Sequence, residues 1–168
     1  DRALLLFQEV LADNPTITTA YLGIGDIYML QEDYVSAEPA FRRAARIEPT
    51  SFRAQYGHGL ALQMLDRFLE AVRAYQRALA IDPERAEAYL SLATTFLQMD
   101  EPYRAVAYAE RAIELEPTSV AAHANLGAIY ENLGRYAEAI DQYIAAIELM
   151  GNDPRLMMNL INVQAKEE

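Results

Sequence analysis

The chain has neither cysteine nor tryptophan among its 168 residues. Without cysteine there is no disulfide, no thiolate nucleophile and no thiolate metal site, and the absence is compatible with any compartment. Lysine is nearly missing as well: thirteen of the fourteen basic residues are arginine, and Lys166 is the one lysine. Histidine is limited to His58 and His123, 65 residues apart. No H-E-x-x-H, G-x-S-x-G or calcium-loop pattern is present, and nothing pairs a nucleophile with a base. The carboxylates read as solvated helix faces, so the chain is expected to be no enzyme and to need no metal or cofactor. No apolar run approaches the roughly 18 residues of a membrane span and no signal peptide is visible, so direct membrane insertion is not expected. Positive charge is short too. A net charge of −11 argues against nucleic acid, which needs clustered lysine and arginine, and favours basic partners. The compartment stays unknown, with the cytoplasm slightly favoured.

What is present is a period. Pro15, Pro49, Pro83 and Pro117 lie 34 residues apart, in "DNPT", "IEPT", "IDPE" and "LEPT". At this interval the sequence falls into columns. Gly25, Gly59, Ala93 and Gly127 share one; Tyr28, Leu62, Phe96 and Tyr130 another. Ala37, Ala71, Ala105 and Ala139 align, then Phe41, Tyr75, Ala109 and Tyr143, then Ala44, Ala78, Ala112 and Ala146. Each unit holds two apolar patterns of helical period with a short polar break between them, and proline stops the second. Two short helices cannot bury their faces alone, so neighbouring units must stack. The small columns then let the helices of a unit approach closely, and the aromatic columns fill the space between units. Gly25 is a close-contact residue on this reading. The Gly23-x-Gly25 pair lacks the third glycine and the βαβ setting of a phosphate loop.

A 34-residue helix-turn-helix unit with these columns resembles the tetratricopeptide repeat (TPR), and "AHANLGAIYENLGRYAEAIDQYIAAIEL" (residues 122–149) is close to a consensus unit. The resemblance implies an all-α fold, a right-handed α-solenoid of about ten helices forming a single domain. Residues 1–17 match the second helix of a truncated repeat, and 18–51, 52–85, 86–119 and 120–153 are full repeats. Residues 154–168 form a terminal capping helix. The chain starts within a repeat and without Met, so it is expected to be a piece of something longer, lacking its native N-terminus. Departures from the family pattern carry expectations of their own. The glycine that closes the first helix is present only as Gly134, with Glu32, Asp66 and Asp100 in its place, and the turn at Glu32 is expected to be distorted. Pro102 suits the first turn of its helix, whereas Pro39 lies deeper and predicts a kink or a late start. His58 stands where other units carry Ile24, Leu92 and Leu126, and reads as a satisfied core residue.

The resemblance also implies a binding face, because in TPR superhelices the first helix of each unit lines the concave groove. The residues it assigns there are Leu22, Asp26 and Met29; Arg53, Tyr56, Leu60 and Gln63; Glu87, Leu90, Thr94 and Leu97; and Asn125, Ala128 and Glu131. Gly23 and Gly57 fall on the same face, where a missing side chain either deepens the groove for a partner backbone or is merely tolerated. Groove arginine is limited to Arg53, so the clamp that other TPR grooves close on chaperone-tail carboxylates is absent. The asparagine ladder of the O-GlcNAc transferase repeats is reduced to Asn125. An apolar groove suits an amphipathic helix or an extended apolar peptide. The expected function is a protein–protein interaction scaffold for another protein or a peptide, apolar or amphipathic and basic in charge. The alternatives are self-assembly into a homo-oligomer, or a substrate-docking arm of a larger enzyme or secretion machine. Tyr56, the aromatic of the strip, either anchors the partner or packs on the adjacent unit.

Overall fold

A computed structural model describes residues 2–151 and 153–167. Among them the chain is all-helical, with ten helices. In chain order these are α1 (Arg2–Asp13), α2 (Thr18–Leu30), α3 (Tyr34–Ile47), α4 (Phe52–Met64) and α5 (Phe68–Ile81), then α6 (Ala86–Gln98), α7 (Pro102–Leu115), α8 (Val120–Asn132), α9 (Tyr136–Met150) and α10 (Pro154–Glu167). They form two compact units, Asp1–Pro83 and Glu84–Glu168. In the first, each helix from α1 to α5 packs on the next, and the first-type helices α2 and α4 also touch. In the second the same holds from α6 to α10, with α6 touching α8. No helix among the described residues is long and apolar enough to cross a membrane.

The small columns make this packing close. Ala37, Ala71 and Ala139 are fully buried, as is Ala105. The aromatic column does more than fill space, because each ring is pressed against a glycine. A Cβ built on Gly25 would lie 2.7 Å from the Phe41 ring, and one on Gly59 would lie 2.6 Å from Tyr75. On Gly127 it would lie 2.8 Å from Tyr143. These distances are below van der Waals contact, so a helix that loses about 1 kcal/mol per glycine gains an aromatic ring in its place. Where the column holds Ala109, the aromatic moves one place to Tyr108, whose ring stacks 5.3 Å from Phe96.

The turns within repeats are uniform, and this corrects the reading of Glu32. Glu32, Asp66 and Asp100 adopt φ of 58°, 57° and 59°, and Gly134 adopts 72°. In each turn the following N–H reaches back five residues: Asp33 to Tyr28 O, Arg67 to Leu62 O, Glu101 to Phe96 O and Arg135 to Tyr130 O, each at 2.9 Å. That bond closes the helix C-terminus, and it holds Glu32 in the left-handed region despite its side chain. Pro39 produces no late start either. Asp33 caps α3 by accepting from Ser36 N–H at 3.1 Å, and the helix runs from Tyr34 through Pro39 to Ile47. Pro102 takes the first helical position of α7, where its missing N–H has no partner to lose.

His58 is satisfied in the interior of the first unit. Its Nε2 lies 3.0 Å from Oε1 of Glu38, a carboxylate only 8% exposed. Arg42 and Arg67 approach the same oxygen at 3.6 Å. Burial holds the His58 pKa below its ordinary value; Glu38 opposes that shift, and Arg42 and Arg67 add to it. The unfolded chain therefore binds a proton near pH 6.5 that the folded chain refuses until lower pH, and stability is lost as pH falls through this window. Urea midpoints measured between about pH 7.5 and about pH 5.5 should drop for the native sequence and drop less for His58→Leu. Equal drops would place the titrating group elsewhere.

Candidate binding face

In the first unit, α2 and α4 bring five of the expected residues together. Asp26, Met29, Arg53, Tyr56 and Leu60 line one cleft of about 430 Å³, with Leu30, Phe41 and Gly57 completing its wall. Helical spacing explains the grouping: Asp26, Met29 and Leu30 share one stripe of α2, and Arg53, Tyr56, Gly57 and Leu60 share one stripe of α4. The lining is mainly apolar. At its edge the Arg53 guanidinium donates to the Asp26 carboxylate and links the two helices, with both groups partly in water. Tyr56 is half-buried; its ring stacks 5.5 Å from Phe52 and tilts 5.6 Å from Tyr75. It thus lines the cleft and packs on its neighbours at once.

Three expectations for this unit change. Leu22 is 5% exposed and belongs to the core cluster with Ala37, Phe41 and Ala54, so it does not face a groove. Gln63 is half-buried and accepts from the Tyr75 hydroxyl at 2.6 Å. Gly23 and Gly57 do not open the groove. A Cβ on Gly57 would lie 2.6 Å from the Phe41 ring, and one on Gly23 would overlap the Phe7 ring. Each glycine accepts an aromatic side chain from the preceding second-type helix, so no gap is left for a partner backbone.

In the second unit, Leu90, Thr94 and Leu97 on α6 and Asn125, Ala128 and Glu131 on α8 are half-exposed. Several of their polar groups are already engaged. Thr94 donates to Leu90 O at 2.9 Å, and Asn125 Nδ2 donates to Thr94 Oγ1 at 3.2 Å, tying α8 to α6. Glu131 accepts from the Tyr143 hydroxyl at 3.0 Å and from Lys166 Nζ at 2.7 Å, tying α8 to α9 and α10. Burial and that donation push the Tyr143 hydroxyl pKa up. Glu87 accepts from Arg85 Nε at 2.7 Å. Burial alone would raise its pKa, but the guanidinium and a backbone hydrogen bond outweigh it and hold Glu87 below the ordinary value.

Sequence reasoning missed Leu30 and Phe41 in the first cleft. Leu30 ends α2 and is 86% exposed; the signal was its place four residues after Asp26, on the same helix stripe. Phe41 belongs to the aromatic column that fills the space between units, and nothing in that pattern shows that one edge of its ring also walls a cleft. A second cleft of about 450 Å³ is lined by Val120, Ala121 and Ala124 of α8 with Met150, Asp153, Arg155 and Leu156. It depends on where α10 packs, which the slipped repeat at Gly151 conceals. Among the described residues no group of three His, Asp or Glu side chains is placed to hold a metal ion.

Helix pairs in a 34-residue register, with half-open clefts between first-type helices, define a helix-turn-helix repeat scaffold. Tetratricopeptide repeat family models match residues 1–52 and 52–85, together half of the chain. The chain belongs to the tetratricopeptide repeat family. A further family model, described as anaphase-promoting complex, cyclosome, subunit 3, matches residues 70–146. No curated protein sequence matches the chain. Among solved structures, MamA is 28% identical with a TM-score of 0.82, over 88% of this chain and 86% of its own. YrrB, described as a TPR protein with an unusual peptide-binding site, is 21% identical with a TM-score of 0.77, over 96% of this chain and 83% of its own. The APC/C hetero-tetramer Cut9–Hcn1 gives 18% identity and a TM-score of 0.84, over 99% of this chain and 33% of the matched one. At these identities YrrB and Cut9–Hcn1 share the fold.

Proposed function

We propose that the chain is a protein–protein interaction scaffold without catalytic activity, and that it takes an apolar or amphipathic partner segment with a basic flank on its first-type helices. The observation that carries the reading is the cleft of the first unit, where Met29, Leu30, Phe41, Tyr56 and Leu60 offer an apolar wall beside Asp26. Burying apolar side chains there gains about 25 cal/mol per Å², and Tyr56 adds a rigid aromatic surface with a polar tip. The fold shared with YrrB, described as having a peptide-binding site, is a fold-level analogy in the same direction. The net charge of −11 accelerates the approach of a basic segment.

A displayed random-peptide library panned against the protein should enrich apolar sequences flanked by lysine or arginine. For a selected peptide, Tyr56→Ala combined with Leu60→Ala should weaken binding roughly tenfold, about 1.4 kcal/mol, while circular dichroism stays unchanged. Raising salt to about 0.5 M, where exposed charge is screened within a few ångströms, should alter the affinity only modestly, because the apolar wall supplies most of the binding. A silent double variant with steep salt dependence would move the site off this cleft. A second reading, self-assembly, is favoured by α1, where Leu5 and Leu6 are 59% and 53% exposed. Light scattering over a concentration series tests it, and a constant mass would remove it.

A further inference from the structure

The exposed faces of α3 and α5 in the first unit carry the opposite sign to those of α7 and α9 in the second. On α3, Pro39, Arg42, Arg43 and Arg46 recur at i, i+3, i+4 and i+7, so they share one face, and all are exposed. They enclose a shallow notch of about 190 Å³. One repeat later, Arg73 and Arg77 take the places of Pro39 and Arg43 on α5, and both are exposed. Gln76 and Ala80 fill the other two places, so neither set contains a carboxylate. In the second unit the corresponding places on α7 hold Ala107, Glu110, Arg111 and Glu114. Those on α9 hold Asp141, Ile144, Ala145 and Glu148.

Ion pairing sharpens the contrast. All six cationic side chains of the second unit meet a carboxylate. In the first unit, Arg42 shares Glu38 with Arg67 and His58. Arg43, Arg46, Arg73 and Arg77 form no ion pair among the described residues. Glu70, one turn before Arg73, is already held by Arg67 at 2.7 Å. The net charge of the chain therefore conceals a local excess of guanidinium. A guanidinium is a planar fork that matches a carboxylate with two parallel hydrogen bonds, and it sheds water more readily than an ammonium group. The run from Pro39 to Arg46 covers roughly 10 Å of helix, the footprint of a short acidic stretch.

We propose that the exposed arginine face of α3 docks an acidic segment of a partner protein, whose carboxylates pair with Arg43 and Arg46, while Arg73 and Arg77 of α5 add to the local positive charge. This surface lies on different helix faces from the α2–α4 cleft, and its occupant has the opposite charge to the one proposed there.

A fluorescein-labelled deca-glutamate peptide serves as the probe, with the whole chain titrated against it by anisotropy at low salt. Saturable binding is expected, weakening at least about tenfold when salt is raised to about 0.3 M. Arg43→Gln with Arg77→Gln should weaken it by a similar factor, and because both residues are exposed the helical signal should not change. Arg111→Gln with Arg135→Gln removes the same charge from paired positions, and it should stay within about twofold of the native protein, as should Tyr56→Ala. Absence of binding, or equal loss in the two double variants, would overturn the proposal. So would tighter binding of an oligonucleotide of equal charge, which would make the face a phosphate site. Self-association that disappears in Arg43→Gln with Arg77→Gln would overturn it in favour of a second copy of the chain.

Discussion

Phe41→Ala is expected to lower the unfolding free energy by about 3–5 kcal/mol, at the upper end for a single core truncation. Phe41 is 2% exposed, and its ring lies between two glycine backbones, Gly25 of its own repeat and Gly57 of the next. The loss has two parts. Transfer of the ring from the core is the first, and the cavity left behind is the second. The cavity cannot be refilled from either side, because neither glycine has a side chain to move into it. The same ring also walls the cleft beside Tyr56 and Leu60, so the variant should weaken partner binding as well as the fold. Urea denaturation measures the first effect. A loss below about 1.5 kcal/mol would show that the helices close over the gap and that the contact is less rigid than its geometry implies.

Gly57→Val should destabilise by about 3 kcal/mol, although helix propensity by itself favours the change. Its Cβ would lie 2.6 Å from Phe41, where no real side chain sits. A ring can usually retreat from such a contact, but retreat from Gly57 drives this one towards Gly25, where the equivalent distance is 2.7 Å. Strain must then be taken up by moving α2, α3 or α4. Combining Gly57→Val with Phe41→Ala should cost less than the sum of the two, because the smaller side chain removes the clash. Strict additivity in that cycle would mean that the two residues do not meet.

Much of the fold was legible because a repeat states its pattern four times. The proline spacing and the alanine columns predict first helices from residues 18, 52, 86 and 120, and α2, α4, α6 and α8 begin at Thr18, Phe52, Ala86 and Val120. Pro102 could be placed because a proline at the first helical position disturbs no hydrogen bond. Glu32 could not be read correctly. Its local preference is against a positive φ, but the Asp33 N–H bond to Tyr28 O decides the conformation.

The binding face divides along the same line. The family resemblance implied a common side for Asp26, Met29, Arg53, Tyr56 and Leu60, and they do gather in one cleft. Period states the direction in which a residue points, not how far a neighbouring element reaches towards it. Leu22 points the same way and is buried, while Gly57 is filled by Phe41. Charge behaves likewise: the sequence counts Arg53, Glu87 and Glu131, but only packing ties them to Asp26, Arg85 and Lys166. The 34-residue pattern by itself therefore determined the class of fold, and the family resemblance it carries pointed to the side on which a partner is sought. The depth of the cleft, and which arginines remain unpaired, depend on ångström-scale contacts between repeats, and only the tertiary structure decided those.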